Sequence, residues 1–143
     1  MRNTAIAALI GLAIAAAPAS AAEIVVTNAW FRALPGNLPG AGYFTLRNTG
    51  KTEAVLTGAA SPACGMLSLH KSESMSGMSN MGDVEQVSVP PGGKARFSPG
   101  GYHLMCMGPT PALHPGAAVV VELTFADGTR TTTRFTVKNA AGK

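Results

Sequence analysis

Cysteine is scarce in this sequence: Cys64 and Cys106 are the only two in 143 residues. No C-x-x-C occurs, which excludes a thioredoxin-like dithiol centre. Charged residues make up only 13% of the chain, with seven acids. No paired-carboxylate motif and no nucleophile–base constellation stands out, so nothing argues for an enzyme. The basic residues are scattered, and no run of them suits a nucleic-acid backbone. Long apolar runs are missing too. The longest, Ala5–Ala17, has thirteen residues and is followed at once by Pro18, whereas a membrane-spanning helix needs about 20.

What is present begins with an export signature. Arg2, the apolar run, and the small residues Ala19-Ser20-Ala21 or Ser20-Ala21-Ala22 follow the layout of a secretory signal peptide. We expect residues 1–22 to be cleaved near 21/22, leaving a domain over 23–138 and a short disordered tail at 139–143. No cysteine follows the cleavage site, so a lipid anchor is not expected. The mature protein should be soluble, exported and monomeric. Removing Arg2 leaves ten basic residues against seven acids, a net charge of about +3, enough to aid solubility.

The remainder reads as all-β. Short runs rich in Val, Thr, Ile, Phe and Tyr alternate with Gly, Pro, Asn and Asp clusters. Strands are expected at Ile24–Trp30, Gly42–Arg47, Glu53–Thr57, Gly65–His70, Val84–Val89, Lys94–Ser98, Tyr102–Met107, Ala118–Phe125 and Thr129–Val137. Asp127-Gly128 reads as a type I′ hairpin turn. Nine short strands with this turn density indicate a sandwich or Greek-key barrel.

Soft ligands are unevenly placed in that frame. Apart from Met1, all six methionines lie between Met66 and Met107, together with His70 and His103. Met75, Met78 and Met81 sit in "HKSESMSGMSNMGD", which reads as a polar loop with nothing apolar to pack against. Alternation along a strand sends His103 and Met105 to one face, and Leu104 and Cys106 to the other. His70, Met81, His103 and Met105 thus make a plausible four-point set. Two neutral imidazoles and two thioethers are soft and uncharged, which favours Cu(I) over zinc, magnesium or calcium. Met107 reads as packing or site wall, Met66 as core, His114 as a loop histidine and Trp30 as a core or rim aromatic.

In an oxidising compartment the two cysteines read as a disulfide. Cys64, however, shares the strand parity of His70, so a simple pairing with Cys106 is awkward. Gly65 can mark a strand start or bulge that frees Cys64 from that alternation.

The spacing His70-x10-Met81-x21-His103-x-Met105 resembles the signature of the periplasmic copper chaperones called PCu(A)C. "PGGYHLMCMGP", "LTFADGT" and "NAWFRALPG…AGYFTLRNTG" are also similar to that family, and the likeness covers nearly the whole mature chain. The resemblance implies a cupredoxin-like β-barrel holding Cu(I) at its surface. It further implies periplasmic delivery to the CuA site of cytochrome c oxidase subunit II, alone or with Sco-type proteins. "VKNAAGK" carries neither His nor Met, so no second copper site is expected in the tail. Met75 or Met78 can substitute for Met81. Three other readings are an electron-transfer cupredoxin using Cys106, a copper storage or detoxification protein, and a metal-free β-sandwich interaction module.

Overall fold

A computed structural model describes the backbone of residues 23–75 and 78–143, and their side chains except those of 74, 75 and 78–80. The expected signal segment, residues 1–22, lies outside the described residues. Within them ten strands form: β1 (Ile24–Arg32), β2 (Gly40–Asn48), β3 (Ala54–Ala60), β4 (Cys64–Met75), β5 (Met78–Asp83), β6 (Val87–Val89), β7 (Lys94–Phe97), β8 (Tyr102–Pro109), β9 (Ala118–Phe125) and β10 (Arg130–Lys138). They join into one curled sheet in the order β5-β4-β8-β7-β2-β1-β10-β9-β3-β6. Only β1–β10 and β7–β8 pair in parallel. The all-β expectation is therefore met.

The core follows from alternation. In β9, Val119, Val121, Leu123 and Phe125 are buried while Ala118 and Val120 face outward. Removing such side chains from water supplies about 1.5–3 kcal/mol each. Phe44 lies between Phe97 and Phe135, with ring centroids 4.3 and 5.6 Å away, and Phe31 meets Phe135 at 5.1 Å. β2 holds two partners in turn: Gly40–Gly42 pair with β8, and Phe44–Arg47 with β7. The close approach at Gly42 requires glycine, because a Cβ there would stand 2.7 Å from Phe31 Cε1 and 3.2 Å from Leu104 Cβ. Buried Asn48 closes the far end of β2. Its Nδ2 donates to the carbonyls of Thr52 (2.7 Å) and Val89 (3.1 Å), and its Oδ1 accepts from Gly50 N–H (3.0 Å).

Several expectations are corrected. The segment read as a polar loop continues β4 to Met75 and returns as β5, so His70 lies within a strand rather than at its end. Main-chain pairing to β4 carries this edge hairpin, without the apolar alternation that reveals a half-buried strand. Val84–Val89 shortens to β6. The β9–β10 turn is not type I′, which needs positive φ at both central residues. Among the described non-glycine residues only Asn28 has positive φ, whereas Gly128 stands at +85°. Gly128 N–H instead bonds Phe125 C=O, and Asp127 Oδ1 accepts from Thr129 N–H at 2.9 Å. At the end of the chain Asn139 Oδ1 accepts from the N–H groups of Ala141 and Lys143.

Cys64 and Cys106 are joined, S–S 2.02 Å and Cα–Cα 5.4 Å. The β4–β8 register sets Leu67, not Cys64, opposite Cys106. A bend reconciles the two. Gly108 has φ +59°, and a Cβ on Gly65 would meet the carbonyl oxygens of Met107 and Gly108 at 3.3 and 3.4 Å. These two glycines let the start of β4 fold over the core face, where Cys106 is fully buried.

Candidate metal centre

The site lies on the outer face of β5, β4 and β8. The registers place His70 directly opposite His103, Ser68 opposite Met105 and Met66 opposite Met107. On the other side of β4, Asp83 is opposite His70 and Met81 opposite Ser72. Cross-strand partners project to the same face, so all four candidate ligands share it. The two imidazoles are 5.7 Å apart, centroid to centroid. Met105 occupies the next row on one side of the histidine pair, and Met81 the next row on the other. The structure thus brings His70, His103 and Met105 into adjacent positions, and leaves Met81 on the edge strand.

Hydrogen bonds orient both rings. His70 Nε2 lies 3.1 Å from Asp83 Oδ1, and its Nδ1 lies 3.2 Å from Ser68 Oγ. In the neutral ring these partners fix Nε2–H donating to the carboxylate and Nδ1 accepting from the hydroxyl. A metal reaching His70 must displace one of them. His103 Nδ1–H points to Gly101 C=O at 3.4 Å, a long and weak bond. No described residue hydrogen-bonds its Nε2. His103 is 4% exposed, so an outward-facing histidine is nevertheless covered. Burial pushes its pKa below the ordinary value of 6.5; the Gly101 carbonyl opposes this, and the nearby His70 adds to it. The ring is therefore neutral and able to donate at pH 7.

Among the described residues no three His, Cys, Asp or Glu side chains come together to hold a metal. Thioethers are present on the same face. Met66, expected in the core, is 63% exposed on this face, because its strand parity is that of His70 rather than of buried Leu67 and Leu69. Met107 is 45% and Met81 58% exposed. The side chains of Met75 and Met78 lie outside the described residues. Sequence reasoning missed Asp83, which reaches His70 only through the hairpin. Cys106 points to the core, as alternation required, and its sulfur is bonded to Cys64. Trp30 is a rim aromatic against Tyr43, with Arg32 and Lys138 over its ring.

A cleft of about 610 Å³, between Leu34, Leu38, Leu113 and His114, lies elsewhere. It opens at the Pro109 end of β8, six residues and roughly 20 Å from His103. It is unconnected with the imidazole pair. No helix among the described residues is long and apolar enough to cross a membrane.

Comparison with known proteins defines the class. Residues 24–137 match the LpqE-like lipoprotein family model, and the chain belongs to this family, which is of the PCuAC type. Its proteins are copper chaperones rather than enzymes. The chain is 31% identical over 120 residues to a protein of Leifsonia xyli subsp. xyli named lipoprotein Lxx21020, covering 83% of this chain and 72% of that one. Among solved structures it is similar to apo-DR1885 of Deinococcus radiodurans, at 28% identity, TM-score 0.62 and 97% coverage of both chains. The Cu(I) form of DR1885 matches at 29% identity and TM-score 0.59, over 79% of this chain and 78% of that one. The copper-bound PCuAC domain of PmoF2 shares the fold at 20% identity and TM-score 0.66, over 81% and 92%.

Proposed function

We propose that this protein carries Cu(I) outside the cytoplasm and hands it to a respiratory assembly partner. The observation that carries this reading is the His70–His103 pair across β4 and β8, with Met105 in the next row of the same face. Met81 completes the set from the edge hairpin. The donor chemistry agrees: neutral nitrogens and thioethers hold a soft monocation without free thiols. A site on an outer sheet face, with one ligand on an edge strand, suits stepwise exchange in which an acceptor's thiolates or imidazoles replace the donors. The Cu(I) form of DR1885, similar to this chain in sequence and fold, supports the same reading. The acceptor proposed is the CuA site of cytochrome c oxidase, directly or through Sco-type proteins, in the periplasm after removal of residues 1–22. The electron-transfer reading is disfavoured, because the sulfur of Cys106 is committed to the disulfide and cannot ligate as a thiolate.

The test is competition for Cu(I) against a chromophoric chelator, using His103→Ala and Met105→Ala. Each should weaken binding by about 10- to 100-fold, as loss of one donor from a small ligand set does. Unchanged affinity in both variants ends the chaperone reading.

A further inference from the structure

The copper face does not end at Met105. One row further, Met66 and Met107 stand directly opposite each other across β4 and β8, and both are well exposed. This is an unusual use of methionine. Among the described residues the buried core contains none, being built chiefly from Phe, Leu, Val and Ala, with Cys106. Each described methionine side chain past residue 22 instead lies on this one face: Met66, Met81, Met105 and Met107. Exposed strand positions ordinarily favour Thr or β-branched residues, and a flexible thioether left in water gains little from packing.

We propose that Met66 and Met107 form a second, weaker soft-metal station for Cu(I), with Met105 shared between it and the histidine pair. The geometry supports this. Directly opposed residues hold their Cβ atoms about 4.5–5.5 Å apart, and each methionine has three rotatable bonds to bring its sulfur inward. Two thioethers select a soft monocation and reject zinc, calcium and magnesium. Ser68 opposite Met105 is small, which leaves Met105 room to lean toward either row. The face then reads as a graded track. Its tighter end carries two imidazoles, and its looser end carries sulfur alone. Thioethers do not titrate, so the second station is indifferent to pH. This inference rests on the copper reading above.

The test uses Ag(I), a redox-inert soft monocation standing in for Cu(I), titrated into the purified protein labelled at the methionine methyl carbons. The His103 ring and the Met105 methyl should shift with the first equivalent. The Met66 and Met107 methyls should shift mainly with the second, at an affinity about tenfold or more weaker, as expected for a site without imidazole. A Met66→Leu/Met107→Leu variant is volume-conserving at exposed positions and should keep its fold. It should lose the second step while its first step changes by less than about twofold, as for separable sites. Methyls of Met66 and Met107 that stay still in excess metal overturn the proposal, as does a second step surviving in the variant. Absence of the first step at His103 would instead overturn the function proposed above, so the two failures are told apart by which signals move.

Discussion

Removing the disulfide is the sharpest test of how the outer face of β4 and β8 is held. Cys64→Ala/Cys106→Ala opens a loop spanning 42 residues, and chain entropy for a loop of that size gives about 4 kcal/mol. Cys106 is fully buried, so losing its sulfur adds roughly 1 kcal/mol for a small cavity. Against a total of about 5–15 kcal/mol for a domain, that is a large share. With a urea slope near 2 kcal/mol/M, the midpoint should fall by about 2.5 M. Trp30, the only tryptophan, reports unfolding by fluorescence, and its place on β1 keeps it away from the altered strands. Reducing the wild-type protein should give nearly the same loss as the double substitution. A shift below about 0.5 M at unchanged slope would refute the reasoning, since it would mean that the unfolded chain is already restricted without the bond.

Other outcomes follow from single contacts. Asn48→Ala removes the Nδ2 donor to the carbonyls of Thr52 and Val89 and the Oδ1 acceptor of Gly50 N–H, and should cost about 2–3 kcal/mol in chemical denaturation. Gly42→Ala forces a Cβ against Phe31 and Leu104; it should cost about 1–3 kcal/mol and raise amide exchange in β8. His103 has its folded pKa held below 6.5 by burial, so the unfolded chain takes up the proton first as pH falls. Metal-free stability should therefore be complete above pH 6.5 and decline as pH drops from there through the depressed value. His103→Gln should flatten that part of the profile when urea unfolding is measured at pH 7.5 and 5.

How much of this was legible in the sequence varies by element. Strands β8, β9 and β10 could be read almost to their ends, because a half-buried strand writes its alternation in Val, Leu and Phe. The β4–β5 hairpin could not be read that way, since an edge ribbon with polar residues on both faces shows no such period. The pairing of His70 with Asp83 is set by main-chain bonding between β4 and β5, which no side-chain pattern announces. Met66 was misjudged on residue type, although its parity with His70 gave its face. The disulfide followed from cysteine number and compartment, while the bend at Gly65 and Gly108 that permits it is a tertiary fact. The outward direction of His103 was right; its burial depends on the curl of the sheet, which a strand pattern does not encode.

Strand β8 holds two messages in alternate letters. Leu104 and Cys106 speak only to the core, and His103, Met105 and Met107 only to the outer face. Selection can therefore rewrite the metal preference of the outer letters, exchanging thioether for imidazole or hydroxyl, while the inner letters keep the sheet closed. A change of length allows no such freedom. One residue gained or lost within β8 would exchange the two sets, turning leucine to solvent and histidine to the core. Variation along this strand is thus open to substitution and closed to insertion or deletion, a constraint that lineages of this domain should display.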